Sequence, residues 1–137
     1  MQTLQYVRSR KATTDERMLY LVQHMRKLLS TRDHWTQGVA ARDKFGRETG
    51  VNDLDAVDFC LEGAYGRITG SANLGDAASI VLWKLFYNAC WMKYHRNAIS
   101  DVNDLDGYEA VLDVLSTVEQ TVMGRLARDK DGEYEHS

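Results

Sequence analysis

Apolar positions in the first quarter of the chain follow a helical period and then lose it. Met18, Leu21, Val22, Met25, Leu28 and Leu29 recur at three- and four-residue steps, which lines one face of an α-helix. Thr13-Thr14-Asp15-Glu16 is a capping box: a Thr hydroxyl takes an orphan backbone N–H and Glu16 reaches back. The spacing predicts a helix from there to about Ser30. From Thr31 to Val51 glycine punctuates the chain at Trp35-Thr36-Gln37-Gly38 and Asp43-Lys44-Phe45-Gly46. A turn at Gly46 between Val39–Arg42 and Arg47–Thr49 predicts a small β-hairpin or an ordered loop.

The helical period returns in Leu54, Val57, Cys60, Leu61, Ala64 and Ile68, so a second helix is expected over Asp53–Ile68. Thr69–Gly75 is a loop. A third helix is expected from Asp76 to about Asn97, apolar nearly all round between Ala77 and Met92, as befits a central buried helix. After a connection over Asn97–Asp104, Tyr108, Val111, Leu112, Leu115, Val118, Val122 and Leu126 line a fourth helix from Asp106 to about Arg128. Asp129–Ser137 is polar and expected to fray. The pattern predicts a mainly α, four-helix bundle-like single domain with a short hairpin-like loop between its first two helices. The expected core is Leu61, Trp83, Leu85, Phe86, Cys90, Leu112 and Leu115.

A chain of 137 residues fits one domain and can bury about two-thirds of its unfolded surface. Two cysteines without a C-x-x-C pair make no disulfide scaffold; within apolar helical patterns they read as reduced core residues. No apolar segment follows the N-terminal Arg8, Arg10 and Lys11. The most apolar stretch, Ile80–Met92, falls short of the ~20 residues of a membrane span. The expected location is the cytoplasm, of the protein's own cell or of a host cell.

Net charge is −3, but it is unevenly spread. Residues 1–30 hold six bases and two acids, and the rest hold eleven bases and eighteen acids. Two windows contain acids and no bases: Glu48–Gly66, with Asp53, Asp55, Asp58 and Glu62, and Asn97–Gly124, with Asp101, Asp104, Asp106, Glu109, Asp113 and Glu119. Each contains the pentapeptide Val-Asn-Asp-Leu-Asp, at Val51–Asp55 and Val102–Asp106, where it is expected to open a helix with acids facing the positive end of the dipole. If those helices are neighbours, Asp55, Asp58, Glu62, Asp106, Glu109 and Asp113 form one acidic surface suited to a basic protein partner. Solvated helix faces are the plainer reading of the same charges.

Chemical constellations are few. Asp101–Gly107 fails as a calcium loop because Leu105 holds the fifth position. His24, His34, His95 and His136 form no zinc-type pair. There is no nucleophile elbow, P-loop or dinucleotide fingerprint. Trp83, Tyr87, Trp91 and His95 share one face of the third helix, read as a core seam in preference to a base-stacking platform. The third helix is too apolar and the second and fourth too acidic for a recognition helix, and only the first, with the upstream Arg8, Arg10 and Lys11, could touch phosphates, so nucleic acid is an unfavoured partner. The apolar excess on the third helix suggests a homodimer seam near Phe86, Tyr87 and Tyr94.

Trp35-Thr-Gln-Gly38, Ala41-Arg42-Asp43, Gly46-Arg47, Ala56, Cys60-Leu-Glu-Gly63-Ala64, and Asn103-Asp104 with Glu109-x-Val111-Leu112 resemble the domain of unknown function family 6197, met in actinobacteria and phages. The resemblance spans about Thr31 to Val122. Val102 stands where that family usually has a tryptophan before Asn-Asp. The resemblance implies a fold but no activity.

From the residues themselves, Trp35 can plug the end of the bundle. Arg42 or Arg47 can pair with Asp43 or Asp104, and small Gly63 and Ala64 can let the second helix approach the third. The expected role is a non-enzymatic protein-interaction module without cofactor or metal, such as a phage or mobile-element accessory protein. The alternative is a small-ligand or nucleotide site, enzymatic or not, between the Trp35–Arg47 loop and Asn103-Asp104. That alternative requires Arg42, Asn103 and Asp104 to converge on a pocket.

Overall fold

The computed structural model describes residues 2–135, with side chains to Lys130. The fold is mainly α. A four-residue helix α1 (Leu4–Val7), not expected from the apolar pattern, is capped by the Thr3 hydroxyl. Helix α2 (Thr14–Leu28) starts where the capping box places it. Thr13 Oγ1 accepts from Glu16 N–H and Glu16 Oε1 accepts from Thr13 N–H, both at 3.1 Å. Met18, Leu21, Val22, Met25 and Leu29 are fully buried, as the stripe requires. Helices α3 (Leu61–Ala72), α4 (Asp76–Tyr94) and α6 (Tyr108–Glu135) follow, with the short α5 (Ile99–Asp101) before α6. Helix α2 packs on α3, α4 and α6, and α4 also packs on α6. Among the described residues no helix is long and apolar enough to cross a membrane.

The insert between α2 and α3 is longer than expected, because α3 begins at Leu61 rather than Asp53. Asp53 Oδ1 accepts the Asp55 backbone N–H at 2.9 Å, a local bond that competes with helix initiation. The chain then turns into strand β2 (Asp58–Phe59), antiparallel to β1 (Ala41–Arg42), with Ala41 opposite Phe59 and Arg42 opposite Asp58. Leu54 and Val57, assigned to a buried stripe by sequence, are therefore exposed. The expected turn at Gly46 is present: φ is +79° there, and Asp43 N–H donates to Arg47 O at 2.8 Å. Glu48 bridges to Arg42, so the hairpin exists with β2 added on its other flank.

The two identical pentapeptides take different shapes. Val51–Asp55 is a pair of turns, whereas Val102–Asp106 is one π-helical turn ahead of α6. In the second copy Val102 and Asn103 are fully buried. In the first Val51 is half-buried and the rest lie in solvent. Tertiary contacts, not the local sequence, select the conformation.

Helix α4 is not buried all round. Ala78, Leu82, Phe86, Ala89 and Cys90 face the core, while Ile80, Tyr87, Trp91 and Met92 are exposed. It ends at Tyr94, with His95 left-handed at φ +56°, and not at Asn97. Trp83 is half-buried and His95 exposed, so the four-residue aromatic row is a partly open face and not a core seam. Phe86 is inside the core, which removes it from any dimer seam. Helix α6 continues to Glu135 through the region expected to fray; His136 and Ser137 lie outside the described residues. On α6, Val111, Val114, Leu115, Val118 and Val122 form the buried line, and Leu112, expected in the core, is only half-buried.

Candidate functional site

Asn103 is the point at which the insert, α3 and the π turn meet. It is fully buried, and its amide uses its whole hydrogen-bonding capacity. Oδ1 accepts from Trp35 Nε1–H at 2.6 Å and from Leu61 N–H at 3.0 Å; Nδ2 donates to Thr36 O and to Asp104 Oδ1, both at 2.9 Å. The Leu61 N–H is one of the orphan donors at the start of α3, so Asn103 caps that helix from 42 residues away. Cys60 Sγ accepts a second one, from Gly63 N–H at 3.1 Å. Trp35 plugs the end of the bundle as expected, its ring 5.6 Å from that of Tyr108, whose hydroxyl donates to Leu29 O at 2.6 Å. Asp104 Oδ1 also accepts from Gly38 N–H at 3.0 Å.

The arginines divide their work differently from the sequence expectation. Arg47 pairs with Asp43 at 3.1 Å as foreseen, and Asp43 also accepts the backbone N–H of Arg47 and Phe45. Those backbone bonds, with the guanidinium, hold its carboxyl below the usual range. Arg42 pairs with neither Asp43 nor Asp104. Its guanidinium donates to Thr36 Oγ1, Gly46 O and Gln37 O, stapling the loop to itself. Arg67, unremarked in the sequence, staples the other half of the insert by donating to Val51 O and Asp53 O, each at 2.9 Å.

Three glycines bring the insert onto α3. A Cβ at Gly63 would stand 1.9 Å from Ala40 O, one at Gly66 3.3 Å from the Val51 side chain, and one at Gly70 3.0 Å from Asn52 Oδ1. Gly63 thus serves contact with the insert and not with the following helix, as the sequence reading had it. The Gly63, Gly66, Gly70 row was the available signal, since three- and four-residue steps place all three on one helix face.

Beside this junction lies a cleft of about 250 Å³ lined by Gly38, Val39, Ala40, Cys60, Glu62, Ser100 and Asp104. Of the three residues expected to converge there, only Asp104 lines it; Asn103 is buried behind it and Arg42 points into the loop. Burial pushes the Cys60 thiol up, which works against its activation as a nucleophile.

The tip of the insert carries a second hollow, of about 210 Å³, lined by Asp43, Lys44, Phe45, Arg47, Leu54, Asp55 and Val57. Its apolar members are open to solvent: Phe45 is 69 %, Leu54 94 % and Val57 39 % exposed. Lys44 and Arg47 flank the Phe45 ring at 5.1 and 5.0 Å from its centroid. In the sequence Leu54 and Val57 read as part of a buried helical stripe, so this group went unrecognised. Its signal was apolar residues set among turn-forming glycines and acids.

The acidic windows do not merge. Helices α3 and α6 meet marginally at most, because each packs on α2. The second window draws bases from elsewhere in the chain: Asp106 pairs with Arg96 at 3.0 Å, Asp113 with Lys93 at 2.7 Å and Glu119 with Arg26 at 2.7 Å. These partners hold the Asp106 and Asp113 carboxyls below their ordinary range. Glu109 is exposed and makes no ion pair among the described residues. In the first window Asp58 lies 3.3 Å from His34 Nδ1, whereas Glu48, Asp53, Asp55 and Glu62 make no ion pair among the described residues. Free acids therefore concentrate on and beside the insert.

A family model described as "Family of unknown function (DUF6197)" matches residues 13–121, from the α2 capping box into the middle of α6. No curated protein and no solved structure matches the chain.

Proposed function

The chain thus belongs to the DUF6197 family, of unknown function, and we propose that it is a non-enzymatic protein-interaction module whose docking surface is the tip of the insert. The observation that carries this reading is the solvent-exposed group Phe45, Leu54 and Val57 around one hollow. Isolated exposed apolar residues are common, but a cluster on a firmly held loop marks an interaction site. Arg42, Arg67 and the Asn103 junction hold that loop, which lowers the ordering cost of binding. Lys44, Asp55 and the paired Asp43 and Arg47 surround the apolar centre, so the partner presents an apolar side chain within a polar rim of both charges. The resemblance read from the motifs supports a phage or mobile-element setting for this role, in the cytoplasm of the protein's own cell or of a host.

The test is affinity capture from cell lysate with the wild-type chain, Phe45→Asp/Leu54→Asp, and Met123→Asp as a surface control on α6. The proposal expects a partner that the control retains and the double variant loses, with helicity unchanged by circular dichroism. Equal capture by all three chains would sink it.

A second reading rests on the cleft lined by Glu62, Asp104 and Ser100. Two carboxylates there favour a small cationic ligand and disfavour nucleotide phosphates. Native mass spectrometry of the purified chain tests it: a bound small cation lost in Glu62→Gln supports the cleft.

A further inference from the structure

Among the described residues, helix α4 leaves one face without a packing partner. Asp76, Ile80, Lys84, Tyr87, Trp91 and His95 are all exposed, and at about 100° per residue they fall on one arc of the helix. The steps along this row are four, four, three, four and four residues, so it reads the same from either end. A two-fold axis crossing the helix between Leu85 and Phe86 therefore maps the row onto itself in an antiparallel pair. The chemistry is complementary at each level. Ile80 meets the partner's Trp91, two large side chains about half exposed in the single chain (53 and 46 %). Lys84 meets the ring of the partner's Tyr87, an ammonium against an aromatic face. Asp76, at the start of the helix, meets the partner's His95, whose ring N–H can donate to its carboxylate.

His95 is held for this role. It caps α4 in the left-handed conformation at φ +56°, and its ring stands edge-on to Trp91 with centroids 5.7 Å apart. Opposed helix dipoles add to the fit.

We propose that this face of α4 binds a second copy of the chain, forming a two-fold symmetric dimer. The seam lies on the side of α4 away from Phe86 and is separate from the insert, so it stands or falls independently of the proposed docking role.

Sedimentation equilibrium across micromolar to sub-millimolar concentrations tests it. The wild-type chain is expected to reach twice its 15.6 kDa mass. Ile80→Glu/Trp91→Glu should raise the dissociation constant about tenfold or more. Asp76→Lys and His95→Asp should each weaken the dimer, and the two together should restore it, because the charges are exchanged across the axis. Asp tolerates the left-handed position, so the swap leaves the cap intact. A chain that stays monomeric overturns the proposal. So does a dimer indifferent to the Ile80/Trp91 change, or a charge swap that fails to restore association.

Discussion

The indole N–H of Trp35 donates to Asn103 Oδ1 at 2.6 Å, joining positions 68 residues apart. The same oxygen caps α3 at Leu61, so one buried amide sets the position of the insert relative to both α3 and the start of α6. Asn103→Ala leaves the Trp35 and Leu61 N–H groups without their acceptor. At about 1–3 kcal/mol for a buried unmet donor, the expected loss is about 2–4 kcal/mol in urea unfolding. Asn103→Asp keeps the acceptor but turns a carboxylate oxygen toward Thr36 O and Asp104. It should destabilise at neutral pH and recover part of that loss in acid. A loss below ~1 kcal/mol for the alanine variant would show that the junction is incidental to folding.

Gly63 and Gly50 give a matched pair. A Cβ at Gly63 would collide with the Ala40 carbonyl, whereas nothing lies within 4 Å of one at Gly50. Gly63→Ala must push the insert off α3 and is expected to cost at least ~2 kcal/mol, with the Phe45 surface displaced as well. Gly50→Ala should be neutral or stabilise by up to about 1 kcal/mol through the unfolded chain. Thermal unfolding of the two variants decides the matter; similar midpoints would contradict the close approach.

Much of the α architecture was legible in the chain, and the reasons for the rest are physical. The α2 boundaries followed from local chemistry, a capping box and an apolar stripe, and both are as read. The Trp35 plug and the Arg47–Asp43 pair were legible because a large aromatic at a helix exit and a short-range ion pair need little context. The start of α3 was not, because Leu54 and Val57 keep a helical period while a turn and a distant strand claim their backbone. Nor could the open face of α4 be read, since a helix apolar on all sides gives no direction for its core. The acidic windows looked free because their counter-charges, Arg26, Lys93 and Arg96, lie outside them in sequence.

Two leucines on α6 test which of its faces carries the core. Leu115 is fully buried, while Leu112, three positions earlier, is only half-buried. Leu115→Ala should therefore cost about 2–5 kcal/mol. Leu112→Ala should cost roughly 1 kcal/mol, since less apolar area leaves water there. The reverse order in chemical denaturation would place the helix face wrongly.

Acid should loosen the contacts that tie the C-terminal end of α4 to α6 and the chain after it to the π turn. The Lys93 ammonium and the Tyr94 hydroxyl, both bonded to Asp113, hold its carboxyl low, and Arg96 does the same for Asp106. Each folded pKa lies below its unfolded value near 4. The unfolded chain then binds more protons across that window, and stability rises with pH. The contribution is complete above about pH 5 and is lost as pH falls through the folded values. Asp113→Asn should flatten the acid limb of the stability curve. The Lys93–Asp113 side chains are 39 % and 40 % exposed, so salt should shrink the effect. An acid limb identical to wild type would remove Asp113 from the account.

The two cysteines bear on whether the cleft beside Asp104 does chemistry. Cys90 is fully buried, and burial, helped by the negative Asp106 nearby, pushes its thiol up to about 11. Cys60 lines the cleft, but burial outweighs the N–H bonds that favour its thiolate, and its thiol is raised too. Only the thiolate attacks an electrophile. At pH 8 the Cys90 thiolate is about one part in a thousand, and its side chain is also shielded. Native protein should therefore react slowly with a maleimide at both positions. Cys60 should be the faster of the two because it borders the cleft, and both should react fully in denaturant. Mass spectrometry of timed samples reads the two sites separately. Fast native labelling at Cys60, faster than the same residue in unfolded protein, would mean that the cleft lowers its pKa. That result would turn the non-enzymatic reading toward a thiol nucleophile placed at the start of α3.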